Sequence, residues 1–458
     1  MGDRHRQEIG YGKVKDAAIF YRAVMQGRDN IMDIGHQMYA LCERLFPICR
    51  SITGDGVRET LGILREIVPE MTIHEVLTGT QVFDWTVPKE WNIRDAWIKN
   101  SQGEKILDFQ KTNLHVMGYS LPVDKTVTLD ELLPLIYTQP DQPDVIPYVT
   151  SYYKERYGFC MTQRQKDALV ADTYHIHIDS TLKEGSLTYG EILIPSTEGA
   201  EDEIFLSTYV CHPSMANNEL SGPAMTIYLA KAILAQRTRR YAYRIIFIPE
   251  TIGAITYLSS HLTDMKKRVR AGFNISCVGD DRTYSYVPSR DGDTLVDKAA
   301  KNILSFRYPA YKSYTFLQRG SDERQYNAPG VDLPVCAVCR SKYGEYPEYH
   351  TSKDDMTLIS PEGLQGAYEV YHDILEALEH NVRYRIQCFC EPQLGKRGLY
   401  PTVSQKGKYD EGKAMMDFIA YADGKNDLID ISNRIGVSVK TLIPIIEKLE
   451  KQRLLQAK

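Results

Sequence analysis

The sequence predicts an α/β protein with a mainly parallel sheet, a β-rich domain inserted near its start and a small helical domain at its end. Three observations carry this. Apolar runs of strand length alternate with amphipathic helical stretches from about residue 185 to 380, the pattern of parallel strands covered on both faces. Residues 83–180 instead show short alternating stretches divided by turn residues such as SQGE. The tail comes after a polar, Gly/Pro-bearing linker, PQLGKRGLYPTVSQKGKYDEG.

The elements are expected in this order. Residues from about 12 to 68 read as helices, with IMDIGHQMYALCERLF placing apolar residues at three- and four-residue steps. After MTIHEVL, strands are expected at WNIRDAWIKN, KILDFQ, LHVMGYS and TYHIHIDS, with one short helix at TLDELLPLIY. The strands EIFLSTYV, YRIIFIPE, FNISCVGD and LPVCAVCR then alternate with helices at SGPAMTIYLAKAILAQ, GAITYLSSHL, DTLVDKAAKNIL and PEGLQGAYEVYHDILEALEH. The domains are therefore 30–82 with 181–385, the insertion 83–180, and the tail 386–458.

In the tail, MMDFIAYAD, DLIDISNRIG and VSVKTLIPIIEKLEKQRLL have the spacing of a winged helix or helix-turn-helix. A nucleic-acid reader needs a basic, polar third helix. This one sets Lys440, Lys448 and Lys451 against Glu447 and Glu450, so an intramolecular or dimerisation role is expected in place of nucleic-acid binding. A net charge of −5 gives no general attraction to nucleic acid or anionic lipid. No apolar run approaches the ~20 residues that cross a bilayer, so no membrane partner is expected.

The N-terminus, MGDRHRQEIGYGKVKD, has no apolar signal core, which points to a cytoplasmic location, and Arg6 breaks a myristoylation pattern. The nine cysteines are odd in number and spread along the chain, as in a reducing compartment. Cys336-x-x-Cys339 lies in a run that reads as a buried strand, where an odd offset sends the two thiols to opposite faces. That argues against a zinc or redox pair. Cys388-x-Cys390 is the other close spacing.

The residues just past each predicted strand of the α/β region carry the chemistry. EIFLSTYV leads into Cys211-His212-Pro213, YRIIFI into Pro249-Glu250-Thr251, FNISCV into Gly279-Asp280-Asp281, and LPVCAVCR, after a tyrosine-rich loop, into Tyr349-His350-Thr351. Two histidines and two carboxylates thus fall at the carboxyl edge of one sheet, where ligands bind in this architecture. Imidazole and carboxylate are the donors of a catalytic zinc that keeps a position open for water, and a free carboxylate would take the water's proton. Each residue also has a local reading: helix entry for His212, helix-dipole partner for Glu250, turn cap for Asp280 and a local hydrogen bond for His350.

The order His212, ANNELSG at 216–222, Glu250, Asp280 and His350 resembles the co-catalytic zinc aminopeptidases, which have a phosphorylase/hydrolase-like α/β fold. More closely, CHPSMANNELSGP, FIPETIG, GSDERQY and PEYHTSKDD are similar to the bacterial aminopeptidase-like proteins with an inserted β domain and a C-terminal winged helix. The resemblance covers nearly all of the chain after residue 30. It implies that His212 and Asp280 hold a first metal, that Asn218 stands where an aspartate bridges two metals, and that Glu250 is the general base. It also implies that His350 is the second metal's histidine and that Thr251 stands where that metal's glutamate would be. Ser221-Gly222 opens the next helix.

Two departures stand out. A neutral Asn218 cannot offset repulsion between two dications, and Thr251 removes an anionic ligand. One zinc, or none, is expected in place of a pair, the single ion being held by His212 and Asp280 with His350 or Asn218. Glu219 lies one position out of register and reads as a helix-start residue or substrate contact. Asp281, Asp322, Arg324 and Tyr349 are expected to bind substrate, with Arg324 able to grip a carboxylate bidentately; an Asp322–Arg324 surface pair is the plainer reading. His175-x-His177-x-Asp179 shares one strand face and could bind metal, although a solvated face is the ordinary state of such a strand.

The functional expectation is a cytoplasmic, zinc-dependent hydrolase of amide bonds resembling an aminopeptidase. Its substrate would be a peptide or modified amino acid, in glycan or natural-product assembly. Two rivals remain open: a catalytically reduced binding module, motivated by Asn218 and Thr251, and a ligand-sensing transcription regulator, motivated by the tail. The tail and the tyrosine-rich loops could serve a homo-oligomer.

Overall fold

The computed structural model describes residues 34–399 and 409–458. The helical stretch expected over 12–33 and the middle of the linker lie outside them.

An eight-stranded sheet organises the chain, in the order Thr72–Leu77, Ser186–Ile194, Ala242–Ile248, Glu203–Tyr209, Val269–Asn274, Val335–Cys339, Ser285–Val287 and Lys312–Ser313. The four central strands run parallel to one another, and antiparallel pairings extend the sheet at both sides. Every residue of Glu203–Tyr209 and Val335–Cys339 is buried. That two-sided burial is why these segments read as unbroken apolar runs and not as alternating ones.

Helices Asp55–Ile67, Ser221–Ala235, Leu295–Arg307 and Pro361–Glu379 pack one face around Leu206, Phe273 and Ile374. Helix Ile252–Arg268 covers the other, against Phe205, Ile246 and Tyr326. The sheet is thus a mainly parallel α/β layer whose strand ends face one edge.

Between the first two strands of this sheet lies a four-stranded antiparallel sheet in the order Lys105–Asp108, Glu90–Lys99, Thr173–Lys183 and Val123–Thr128. Its apolar face, Ala96, Ile98, Ile176 and Ile178, forms a separate core. LHVMGYS, expected as a strand, folds instead as a 3-10 turn at Asn113–His115 and then isolated bridges. Thr112 caps that turn, and His115 Nδ1 lies 2.8 Å from the Cys160 carbonyl, so side chains spend the polar contacts a ladder would need. The strands Ser285–Val287 and Lys312–Ser313 are too short to leave a periodic signature.

The tail forms helices Tyr409–Tyr421, Leu428–Ile435 and Val439–Lys451 with a sheet of Arg383–Ile386, Asp423–Asp427 and Leu455–Ala457. Ser438 caps the third helix, and Gly436 (φ 66°) ends the second in the left-handed conformation. This unit is fastened to the α/β layer. Lys440 at the third helix's start meets Asp373 at 3.0 Å, and Asn302 donates to Ser432 at 2.9 Å.

Candidate active site

His212, Glu250 and His350 line one cavity of about 310 Å³ at the carboxyl edge of the sheet, together with Cys211, Thr251 and Arg324. The opposite wall comes from the insertion: Trp85, Tyr148, Thr150, Tyr152 and Tyr153. These aromatic residues were not expected from the sequence at all.

His212 lies just past the Glu203–Tyr209 strand and is 4% exposed. Its Nδ1 lies 2.9 Å from Glu219 Oε2, which leaves Nε2 facing Glu250 at 3.7 Å. The completely buried Glu219 also accepts the Cys211 N–H at 2.7 Å and faces the buried Arg50 guanidinium at 3.6 Å. Arg50 in turn donates to the His212 carbonyl at 3.0 Å. A carboxylate behind an imidazole fixes its tautomer and orientation, the arrangement found behind metal-bound and catalytic histidines. Burial pulls the His212 pKa down, but the hydrogen bond and charge of Glu219, with the charge of Glu250, turn the net shift upward.

Glu219 reaches this place because Ala216–Leu220 is a π-helical turn leading directly into helix Ser221–Ala235. Such turns are rare and concentrate at functional sites. Gly222 is required just beyond it: a Cβ there would sit 2.5 Å from the Ile275 carbonyl and from Thr208 Oγ1.

Glu250 is aimed by strain. Thr251 has φ 64° and ψ −76°, and the Ile252 N–H reaches back to the Glu250 carbonyl at 2.8 Å. That is a γ-turn of the uncommon hand, placed on a β-branched residue that disfavours positive φ. Two neighbours hold it: the Thr251 N–H donates to Asp322 at 2.7 Å, and Arg324 donates to Thr251 Oγ1 at 2.8 Å. Ser321 donates to Glu250 Oε1 at 2.8 Å. Burial raises the Glu250 pKa above the usual carboxylate range, against the opposing charge of His212 and the Ser321 hydrogen bond. Strained backbone of this kind persists where the surroundings over-determine it. Ser214, Cys277 and His350 near the same edge also have positive φ.

His350 (φ 56°) stacks on Tyr349 at 3.9 Å and stands 5.3 Å from the His212 ring, centroid to centroid. Its buried Nε2 has no hydrogen-bond partner among the described residues. Burial, then the charge of His212, pushes its pKa down to about 3, so the ring is neutral. The insertion braces it: the Tyr148 N–H donates to the His350 carbonyl at 2.9 Å, and the Tyr148 ring packs 5.1 Å from both imidazoles.

Other expected site residues lie elsewhere. Asp280 is 1% exposed, and its carboxylate accepts from Ser341 N–H (2.8 Å), Ser341 Oγ (2.9 Å), Asn217 Nδ2 (3.1 Å) and Arg282 N–H (2.9 Å). Asn218 is 1% exposed, its Oδ1 accepting from Tyr209 at 3.1 Å. Neither lines the cavity. Asp281 is exposed and accepts from Ser360 at the start of the closing helix. Asp322 lies buried behind Thr251, its Oδ2 without a partner among the described residues, and does not pair with Arg324. In the insertion, His175 and His177 both contact Asp124, at 2.6 and 3.1 Å, and pack on Trp97.

Two histidines, His212 and His350, and a single carboxylate, Glu250, line the cavity. A pair of dications needs an anionic bridge, and the residue expected there is an asparagine already engaged with Tyr209. The three cavity residues offer nitrogen and oxygen donors suited to a metal ion.

A mainly parallel α/β layer joined to a winged helix is the architecture of an aminopeptidase-like protein. The chain belongs to the DUF4910 family, a domain of unknown function, which matches residues 39–381; residues 382–457 match a winged helix-turn-helix family. A Clostridium acetobutylicum protein described as a polysaccharide biosynthesis protein with an aminopeptidase-like domain is 46% identical over 429 residues, covering 93% of this chain and 98% of that one. A crystal structure of a C. acetobutylicum protein described as a peptidase superposes with a TM-score of 0.89 at 44% identity, covering 95% of this chain and 100% of that one. A zinc aminopeptidase from Bacillus subtilis shares the fold at a TM-score of 0.56 and 13% identity, covering 75% of this chain and 95% of the other. No helix among the described residues is long and apolar enough to cross a membrane.

Proposed function

We propose that this protein is a hydrolase of amide bonds that works with a single zinc ion and acts on a peptide or modified amino acid. The observation that carries the reading is that His212, Glu250 and His350, whose buried Nε2 has no partner among the described residues, line one cavity. His212 and His350 would hold the ion. Asp280 and Asn218 could join only by giving up the hydrogen bonds that now occupy them. The ion, when bound, would supply Lewis-acid polarisation of the scissile carbonyl and of water.

The protein's own groups account for the proton traffic. Glu250 accepts the proton of the attacking water and returns it to the leaving amine, a task suited to a carboxylate whose pKa burial has raised. Glu219 keeps His212 oriented, and Ser321 keeps Glu250 in place. The aminopeptidase-like fold and the zinc aminopeptidase among its structural neighbours support the reaction class. The name of the clostridial relative supports a substrate in glycan assembly, and the chain's ordinary cysteine usage supports a cytoplasmic setting.

The test is hydrolysis of a panel of peptides and acylated amines by protein stripped with chelator and then reloaded with zinc. The expected result is activity restored at about one equivalent. Substrate binding without turnover at any zinc level would favour the binding-module reading, for which the neutral Asn218 and Thr251 speak.

A further inference from the structure

The wall that the insertion contributes to the cavity is built for one class of ligand. We infer that Trp85 and Tyr153 form a stacking platform for a sugar ring, so that the amide cleaved at Glu250 is carried on an amino sugar. This rests on the hydrolase reading above and narrows its substrate.

Trp85 and Tyr153 meet edge to face, 5.6 Å apart at 63°, at the mouth of the cavity. They are 37% and 62% exposed, although a protein gains by covering rings of this size. The pair is tied into the wall behind it through Tyr153. Tyr153 packs on Tyr152 at 6.4 Å, and Tyr152 shares a hydroxyl–hydroxyl hydrogen bond of 2.8 Å with Tyr148, the residue that braces both histidines. The platform is thus coupled to the reacting end of the cavity.

The rest of the lining decides what the platform fits. Only Ile52 and Ile252 are aliphatic; the other groups are aromatic rings, hydroxyls, a thiol and charged or imidazole side chains. An aliphatic amino-acid side chain calls for an enclosed aliphatic pocket. A pyranose has an apolar C–H face for an aromatic ring and a rim of hydroxyls for polar neighbours. Arg324 supplies such a neighbour, since one nitrogen holds Thr251 and the remaining N–H groups of its fork are available on an exposed side chain.

In the proposed step water adds to the acyl carbon and the C–N bond breaks. The acyl group leaves as a carboxylate and the nitrogen as the free amine of the sugar, with Glu250 carrying the proton between them. No other reactant is needed.

Trp85 is one of three tryptophans, so intrinsic fluorescence reports on the platform. Titrating the full-length protein with N-acetylglucosamine and its β-linked dimer should give a saturable change that Trp85→Phe silences. Kinetically, Trp85→Ala and Tyr153→Ala should each raise KM for an N-acylated amino sugar about three- to tenfold, the value of one ring contact, with the loss falling on KM and not on kcat. Sugar binding without hydrolysis would sink the hydrolase reading and leave the platform standing. Hydrolysis of peptides or simple acyl amines, with no sugar response and unchanged KM in both variants, would overturn the platform and leave the hydrolase.

Discussion

Two carboxylates at the same sheet edge, the buried Asp280 and the half-buried Glu250, have opposite surroundings. Asp280 accepts four hydrogen bonds and is closed off from the cavity. Glu250 accepts one, faces an imidazole 3.7 Å away and opens to the cavity. A saturated carboxylate is held low in energy where it is and has nothing left to exchange; an under-satisfied one keeps its lone pairs for a ligand or proton. The same contrast separates the histidines, since His212 is backed by Glu219 while His350 has an unpartnered nitrogen. Structure is stored on one side of the site and reactivity on the other.

The comparison breaks most sharply at Glu250. Glu250→Gln should lower turnover at least about a hundredfold while zinc content, measured by atomic emission, stays unchanged. Loss of metal along with activity would make Glu250 a ligand and not a base.

Next comes the backing of His212. Glu219→Gln should cost about ten- to a hundredfold in activity or metal affinity, read from kcat/KM and zinc titration. A negligible change would mean that His212 needs no orientation.

A smaller effect, on stability, lies away from the site. Glu90, 7% exposed, is bound by Arg58 and held down to about 2 by that hydrogen bond. Because its folded pKa lies below its ordinary value, the pair's contribution is full above about pH 4.5 and is lost as the pH falls towards 2. Arg58→Ala should cost about 3 kcal/mol at neutral pH and reduce the acid sensitivity of unfolding across that window, measured by denaturant titration at several pH values.

The smallest effect sharpens the role of strain. Thr251→Gly removes a β-branched residue from the γ-turn and should raise stability by about 1 kcal/mol, while activity falls because Arg324 loses its acceptor. A Tm that drops would argue that the turn is not strained.

The fold was legible because two-sided burial writes itself into sequence as unbroken apolar strands, and because the tail's three helices carry caps and a turn glycine. That His212, Glu250 and His350 share a cavity followed from their places just past strand ends. The features that could not be read depended on pairings between distant segments. Glu219, read as a helix start or substrate contact, turns inward through a π-turn that no periodicity announces. The hydrogen bonds of Asp280 could not be read because nothing in the sequence ties it to Ser341, sixty-one residues later. The aromatic wall required the insertion to fold back, as the bridge from Pro147 to Thr351 shows.

The tail is the remaining contrast. Its third helix begins with Lys440 bound to Asp373 of the α/β layer, and Glu447 and Glu450 interrupt its exposed basic residues. That contact fastens the start of the third helix to the α/β layer.

Zinc counting tests the central claim most directly. Metal-free wild-type protein and His350→Ala should be titrated with zinc by calorimetry. One equivalent in the wild type, weakened at least about tenfold in His350→Ala, is the predicted result. Two tight equivalents, or one whose affinity ignores the loss of His350, would contradict a single-ion site built on the two histidines.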